Sequence, residues 1–152
     1  MLDLIIKNGQ CYVEGELKNV DVAISDGKIQ KIGQISEKAL NTIDAKGLTV
    51  LPGCIDTQTH FREPGSTDTE DLHSGSRAAV AGGITAVFEM PNTNPPTSTK
   101  KEFQRKLDLA KNRMYCNYAF YFGATADNSN ELADLKNLEG CCGIKLFAGS
   151  ST

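Results

Sequence analysis

Long apolar runs are missing from this sequence. No stretch approaches the roughly 20 residues that a helix needs to cross a bilayer, so no membrane partner is expected. Basic excess is missing as well: 16 Lys and Arg stand against 19 Asp and Glu, a formal net charge of −3. Without surplus cations a chain has little with which to neutralise phosphates, so no nucleic-acid partner is expected either. The five cysteines (Cys11, Cys54, Cys116, Cys141 and Cys142) include no Cys-x-x-Cys pair. That lack excludes the common zinc and dithiol spacings, and the cysteines read as reduced small hydrophobes. Internal repeats and low-complexity segments are also absent. The opening stretch MLDLIIKNG carries Asp3 and Lys7 among its apolar residues. It makes a poor signal peptide, and a cytoplasmic location is expected.

What is present is enough to fold. The chain has 152 residues, 39% of them hydrophobic and 23% charged, the profile of one ordinary globular domain. The first fifty residues read as short strands and turns. Residues 2–7 are apolar and end at Asn8-Gly9; residues 20–25 and 28–32 flank Asp26-Gly27. Such Asn-Gly and Asp-Gly pairs favour tight hairpin turns, so a β meander is expected.

The pattern changes near residue 48. Residues 48–56 form a compact apolar run, broken by Pro52-Gly53, that reads as a buried strand. A helix is expected over residues 68–80, with Thr69 as N-cap and Gly82-Gly83 as its stop. Residues 84–90 read as a strand. Thr99 and Glu102 form a capping box that opens a helix to about residue 112. A strand over 115–122, a short helix over 130–138 and a strand over 143–147 complete a βαβαβαβ order. That alternation argues a parallel sheet with right-handed crossovers. A doubly wound open sheet and a portion of a (β/α)₈ barrel both fit it.

Polar residues cluster just past two of these strands, where parallel α/β sheets place their sites. Gln58, His60, Arg62 and Glu63 follow the first, and Asn92, Thr93 and Asn94 the second. On an extended segment His60 and Arg62 share a side. The imidazole can take a metal, and the planar guanidinium fits a carboxylate. Lys145 lies within the apolar run Gly143-Ile144-Lys145-Leu146-Phe147. It is either a lysine snorkelling from an edge strand or one of lowered pKa that has reacted with carbon dioxide to give an anionic carbamate. Glu63, Asp68, Glu70 and Asp71 read as a solvated loop and helix start. His73 reads as a surface residue, and the charges between Lys100 and Arg113 as a solvated helix face.

Three motifs in order carry a resemblance. They are Pro52-Gly53-Cys54-Ile55-Asp56-Thr57-Gln58-Thr59-His60-Phe61-Arg62-Glu63-Pro64-Gly65; Gly82-Gly83-Ile84-Thr85 with Met90-Pro91-Asn92-Thr93; and Gly143 to Phe147 with Gly149-Ser150-Ser151-Thr152. Together they resemble the cyclic amidohydrolases, most closely the dihydroorotase family, over the whole chain. The resemblance implies part of a small β-sandwich over residues 1–50. The N-terminal half of a (β/α)₈ TIM barrel, four strands and three helices, would follow over residues 51–152. It implies a metal centre of two zinc ions, with His60 as a ligand and Lys145 bridging them as its carbamate. Arg62 and Asn92 would hold a substrate carboxylate, which favours dihydroorotase over its hydantoinase and allantoinase relatives.

The implied reaction is hydrolysis of the cyclic amide of dihydroorotate to carbamoyl aspartate, a step of pyrimidine biosynthesis. Gln58 stands where the family has its first metal-binding histidine, and a neutral amide oxygen is a poorer zinc ligand than imidazole. The family's later histidines and its proton-shuttling aspartate have no counterpart in these residues. The expectation is therefore that the chain needs the other barrel half for activity, in cis or from a second polypeptide. A non-catalytic homologue supporting aspartate carbamoyltransferase is the alternative of another class. A homo-oligomer is a further expected assembly.

Overall fold

The computed structural model describes residues 1–149. The chain divides into two compact units, Met1–Pro52 and Gly53–Thr152.

The first unit is all β. Strands β1 (Leu2–Lys7), β4 (Asp21–Ser25), β5 (Lys28–Gly33) and β6 (Ala39–Asp44) form one sheet in the order β5-β4-β1-β6. Strands β2 (Gln10–Val13), β3 (Glu16–Asn19) and β7 (Thr49–Val50) form a second, in the order β3-β2-β7. Asp26 and Gly27 have φ of 52° and 68°, the doubly positive turn that joins β4 to β5. A simple meander is not what forms. β1 pairs antiparallel with β4 but parallel with β6, which puts Ile5 beside both Ala23 and Thr42. That register gathers Ile5, Ala23 and Ile35 into a small core with Leu2 and Ala39.

The second unit is a parallel α/β layer. Its strands β8 (Cys54–Thr59), β9 (Ile84–Glu89), β10 (Asn117–Gly123) and β11 (Cys141–Lys145) run in the order β11-β10-β9-β8, and every pairing is parallel. Between them lie α1 (Leu72–Ala81), α2 (Lys100–Ala110) and a 3-10 helix (Leu132–Asn137). Successive strands are neighbours, so right-handed crossovers place the helices on one face. This order has no reversal point and is that of a barrel wall, not of a doubly wound sheet. The core lies between sheet and helices: Val87, Phe120 and Phe122 pack with Leu72, Phe103, Ala110 and Leu135. On the other face Ile55, in register with Ala86, is 59% exposed.

Several boundaries move from expectation for local reasons. The run over residues 48–56 is two strands, one in each unit. Pro52 has no N–H for a ladder, and Gly53 leaves no room for a Cβ because the Thr85 side chain occupies its place. Nor is β8 buried throughout: it is the outer strand of its sheet, with a neighbour on one side only. Helix α1 begins later than expected. Its N-cap is Asp71, whose side chain accepts from the Ser74 N–H at 2.6 Å while Asp71 N–H donates to Ser74 Oγ at 3.1 Å. Thr69 N–H instead donates to Ser66 O in the preceding turn. Thr99 caps α2 by accepting from Glu102 N–H, but the Glu102 carboxylate pairs with Arg105 and leaves the reciprocal half of the box unmade. The last strand ends at Lys145 and not at residue 147, because its partner β10 ends at Gly123.

Candidate functional site

Strand β8 delivers the first cluster. Thr59 is its last residue; it turns inward, and its hydroxyl donates to Phe88 O at 3.3 Å. Gln58 and His60 flank this anchored residue. Gln58 is exposed, with its N–H bonded to Asp56 Oδ1 at 2.9 Å, and His60 is half-buried. His60 Nδ1 lies 2.8 Å from Asn92 Oδ1. A carbonyl oxygen can only accept, so Nδ1 carries the proton, and in the neutral ring the lone pair then lies on Nε2. That is how metal-binding imidazoles are oriented.

The next residues are held from below. Phe61 is buried against α1, where Gly75 makes room for its ring. Arg62 takes φ of 60°, a left-handed conformation costly for a side chain of its size, and its side chain is exposed. Among the described residues it has no ion pair or hydrogen-bond partner. Glu63 is 6% exposed, which corrects its reading as a solvated carboxylate. It binds the Arg113 guanidinium through both oxygens, at 2.7 and 3.1 Å, and accepts the Leu72 N–H at 2.9 Å. The pairing holds the Arg113 guanidinium above its ordinary pKa.

Strand β9 delivers the second cluster through the loop at residues 91–97. Thr93 N–H and Thr97 N–H both donate to Pro91 O at 2.9 Å, and the buried Thr93 and Thr97 hydroxyls meet at 3.1 Å. Asn94 N–H donates to Pro64 O at 2.9 Å, which ties this loop to the first. Together they line a small cavity of about 200 Å³ with Arg62, Pro64, Ser66, Asn92, Thr93 and Asn94. Asn92 and Thr93 also line a larger cavity of about 490 Å³ that reaches Gly123 and Phe147.

Lys145 ends β11, and its ammonium sits 5.1 Å from the centre of the Phe147 ring. Along the sheet it is separated from β8 by β9 and β10, three strand spacings or roughly 14 Å. The structure thus brings Arg62, Asn92 and His60 together, with Lys145 on the far strand of the same sheet. Residues 150–152 of the third motif lie outside the described residues.

A zinc site takes three or four close ligands. Among the described residues no three His, Cys, Asp or Glu side chains gather closely enough to hold a metal. The free Nε2 of His60 fits one ligand of such a centre, and Gln58 beside it offers only a weak amide donor. These residues therefore fit part of a metal centre.

Sequence reasoning missed one pair altogether. Glu89, the last residue of β9, and Lys106 of α2 form an ion pair at 1% and 0% exposure. Burial pushes the Glu89 carboxyl up to about 7, against the pull of Lys106, and burial likewise lowers the Lys106 ammonium. Lys106 is thus not part of a solvated helix face. The signal was available: Lys106 falls at the spacing of Phe103 and Ala110, the buried stripe of α2. His73 is exposed as expected, although it meets the Tyr115 hydroxyl at 3.2 Å.

An imidazole, a guanidinium with no partner among the described residues and an amide thus lie together beyond the carboxyl ends of parallel strands, where α/β folds place their sites. Residues 49–144 match the amidohydrolase family, and the chain belongs to it. Allantoinases from Salmonella choleraesuis and Escherichia coli O1:K1 are each 41% identical to it over 97% of this chain and 33% of theirs. The L-hydantoinase of Arthrobacter aurescens superposes with a TM-score of 0.89 at 31% identity, covering 100% of this chain and 34% of that one. A D-hydantoinase gives 0.82 at 33% identity, with 100% and 34% covered. The chain spans about a third of the length of the curated relatives it matches. These likenesses support hydrolysis of cyclic amides as the family chemistry.

Proposed function

We propose that this chain is the N-terminal part of a dihydroorotase-like zinc amidohydrolase. In this reading the parallel sheet is the first half of a TIM barrel, and the enzyme opens dihydroorotate to carbamoyl aspartate. The observation that carries it is Arg62. Its guanidinium has no partner among the described residues, its backbone is in a costly conformation, and it lines a cavity together with Asn92. Because Asn92 Oδ1 is taken by His60, its amide N–H groups are left to donate. An anion receptor beside the imidazole suits a cyclic amide that carries a carboxylate. His60, and Lys145 as its carbamate, are the proposed metal ligands, with Gln58 in a ligand position of low affinity. The bound metal would polarise the ring carbonyl and activate water. Within this chain, Arg62 and Asn92 orient the ring and His60 keeps one tautomer.

A second reading, allantoin as substrate, is favoured by the 41% identity to allantoinases. Ring opening of dihydroorotate, allantoin and hydantoin by the protein that carries this chain separates the two. The expected result is the highest kcat/KM on dihydroorotate. Arg62→Met should lower that value about a hundredfold, mostly through KM, as loss of a charge-assisted bidentate contact does. Faster opening of allantoin, indifferent to Arg62→Met, would establish the second reading.

A further inference from the structure

The Glu89–Lys106 pair is buried where an ion pair adds little to stability. Taking both charges out of water costs so much that well-packed apolar replacements are often as stable or more so. Its contacts lead elsewhere. Glu89 Oε1 accepts the Phe61 N–H at 3.2 Å, and Phe61 lies between His60 and Arg62. Lys106 Nζ donates to Met90 O at 3.0 Å, two residues before Asn92. Met90 N–H in turn donates to Thr59 O at 2.9 Å, next to His60. A single cation on α2 therefore fixes the base of both site loops, one through a carboxylate and one directly. The face of the Phe120 ring, 5.1 Å from Nζ, closes the pocket around it.

We propose that Glu89 and Lys106 are positioning residues. They hold the backbone on either side of the site so that His60 Nδ1 meets Asn92 Oδ1, and Nε2 is presented in a single tautomer. The inference deepens the functional reading above, because His60 is the ligand it assigns. The ion pair itself touches neither substrate nor metal.

The test uses paired replacements that leave no buried charge alone. Glu89→Leu with Lys106→Met removes both ions and the acceptor for Phe61. Glu89→Gln with Lys106→Met removes both ions but keeps an amide oxygen for Phe61. Nitrogen-15 shifts of the imidazoles report tautomers, with the exposed His73 as internal reference. The Leu/Met protein should keep a melting temperature close to the parent. His60 should nevertheless become a mixture of tautomers, and the Phe61 amide should exchange at least about tenfold faster. The Gln/Met protein should restore Phe61 protection, while the Met90 amide, whose own carbonyl has lost Lys106, and the Thr93 amide in the loop beyond it still exchange faster. A Leu/Met protein with one His60 tautomer and a protected Phe61 would overturn the proposal. If that protein does not fold, the Gln/Met protein decides: unchanged exchange at Met90 and Thr93 overturns it. No outcome depends on turnover, so an error in the substrate reading would show separately, in the ring-opening assay.

Discussion

Arg62 and Glu63 are adjacent, yet the chain uses their charges in opposite ways. Glu63 points down into a buried bidentate pair with Arg113, while Arg62 points out with no partner among the described residues. The left-handed backbone at Arg62 costs stability, which suits the proposed role of its guanidinium in holding a substrate carboxylate. Glu63 provides the leverage: it fastens the loop to the first turn of α1 through Leu72. Glu63→Ala should destabilise the protein by about 2 kcal/mol in urea unfolding, because it leaves Arg113 and the Leu72 N–H without their acceptor. Arg62→Ala should cost almost nothing in the same measurement. Gly75→Ala belongs with these. A Cβ there meets the Phe61 ring, and overpacking of this kind costs about 1–3 kcal/mol in a melting or urea experiment.

At the scale of elements, capping decides where helices start. Asp71 and Ser74 satisfy each other's backbone donors, so α1 starts there although Thr69 is also a capping residue by type. The Ser74 N–H lowers the Asp71 carboxyl below its ordinary value of 3.8. A lowered folded-state value means stability that is present above the unfolded pKa and lost as pH falls through the folded one. Asp71→Ala should therefore lower the melting temperature at neutral pH, and the gap from the parent should close only below about pH 3.8. Thr99→Ala removes a one-sided cap and should cost about 1 kcal/mol of stability. Much of this scale was legible in the sequence. Asp26-Gly27, Gly82-Gly83 and Thr99 acted where their chemistry predicts, because turns and caps depend on a few neighbouring residues. The 3-10 geometry over Leu132–Asn137 was not legible as such, since its six residues are too short for a period to show.

The whole molecule is two units with separate cores, and they are not equally buried. In the second unit β9 and β10 lie inside the sheet and carry Val87, Phe120 and Phe122, all at 0% exposure. In the first unit β5 and β6 are outer strands of their sheet and expose Ile29, Ile32, Leu40 and Ile43. Amide exchange should accordingly be slowest in β9 and β10 and faster in β5 and β6. Equal protection in both pairs of strands would mean that the two units open together.

By itself the sequence determined the alternation of strands and helices, the break at Pro52-Gly53 and the loops that hold His60, Arg62 and Asn92. These follow from periodicity, turn chemistry and motif spacing, which are local. Only the tertiary structure decided the strand order β11-β10-β9-β8, because a βαβ pattern is compatible with either winding. It also decided that Glu63 is buried while Arg62 has no partner among the described residues, and that Glu89 and Lys106 meet beneath the two loops. Those outcomes depend on residues 50 positions apart, as with Glu63 and Arg113, or on a helix packing against a strand. A charged residue carries no mark of which partner will neutralise it. Burial and pairing are fixed together, and only when the chain closes on itself.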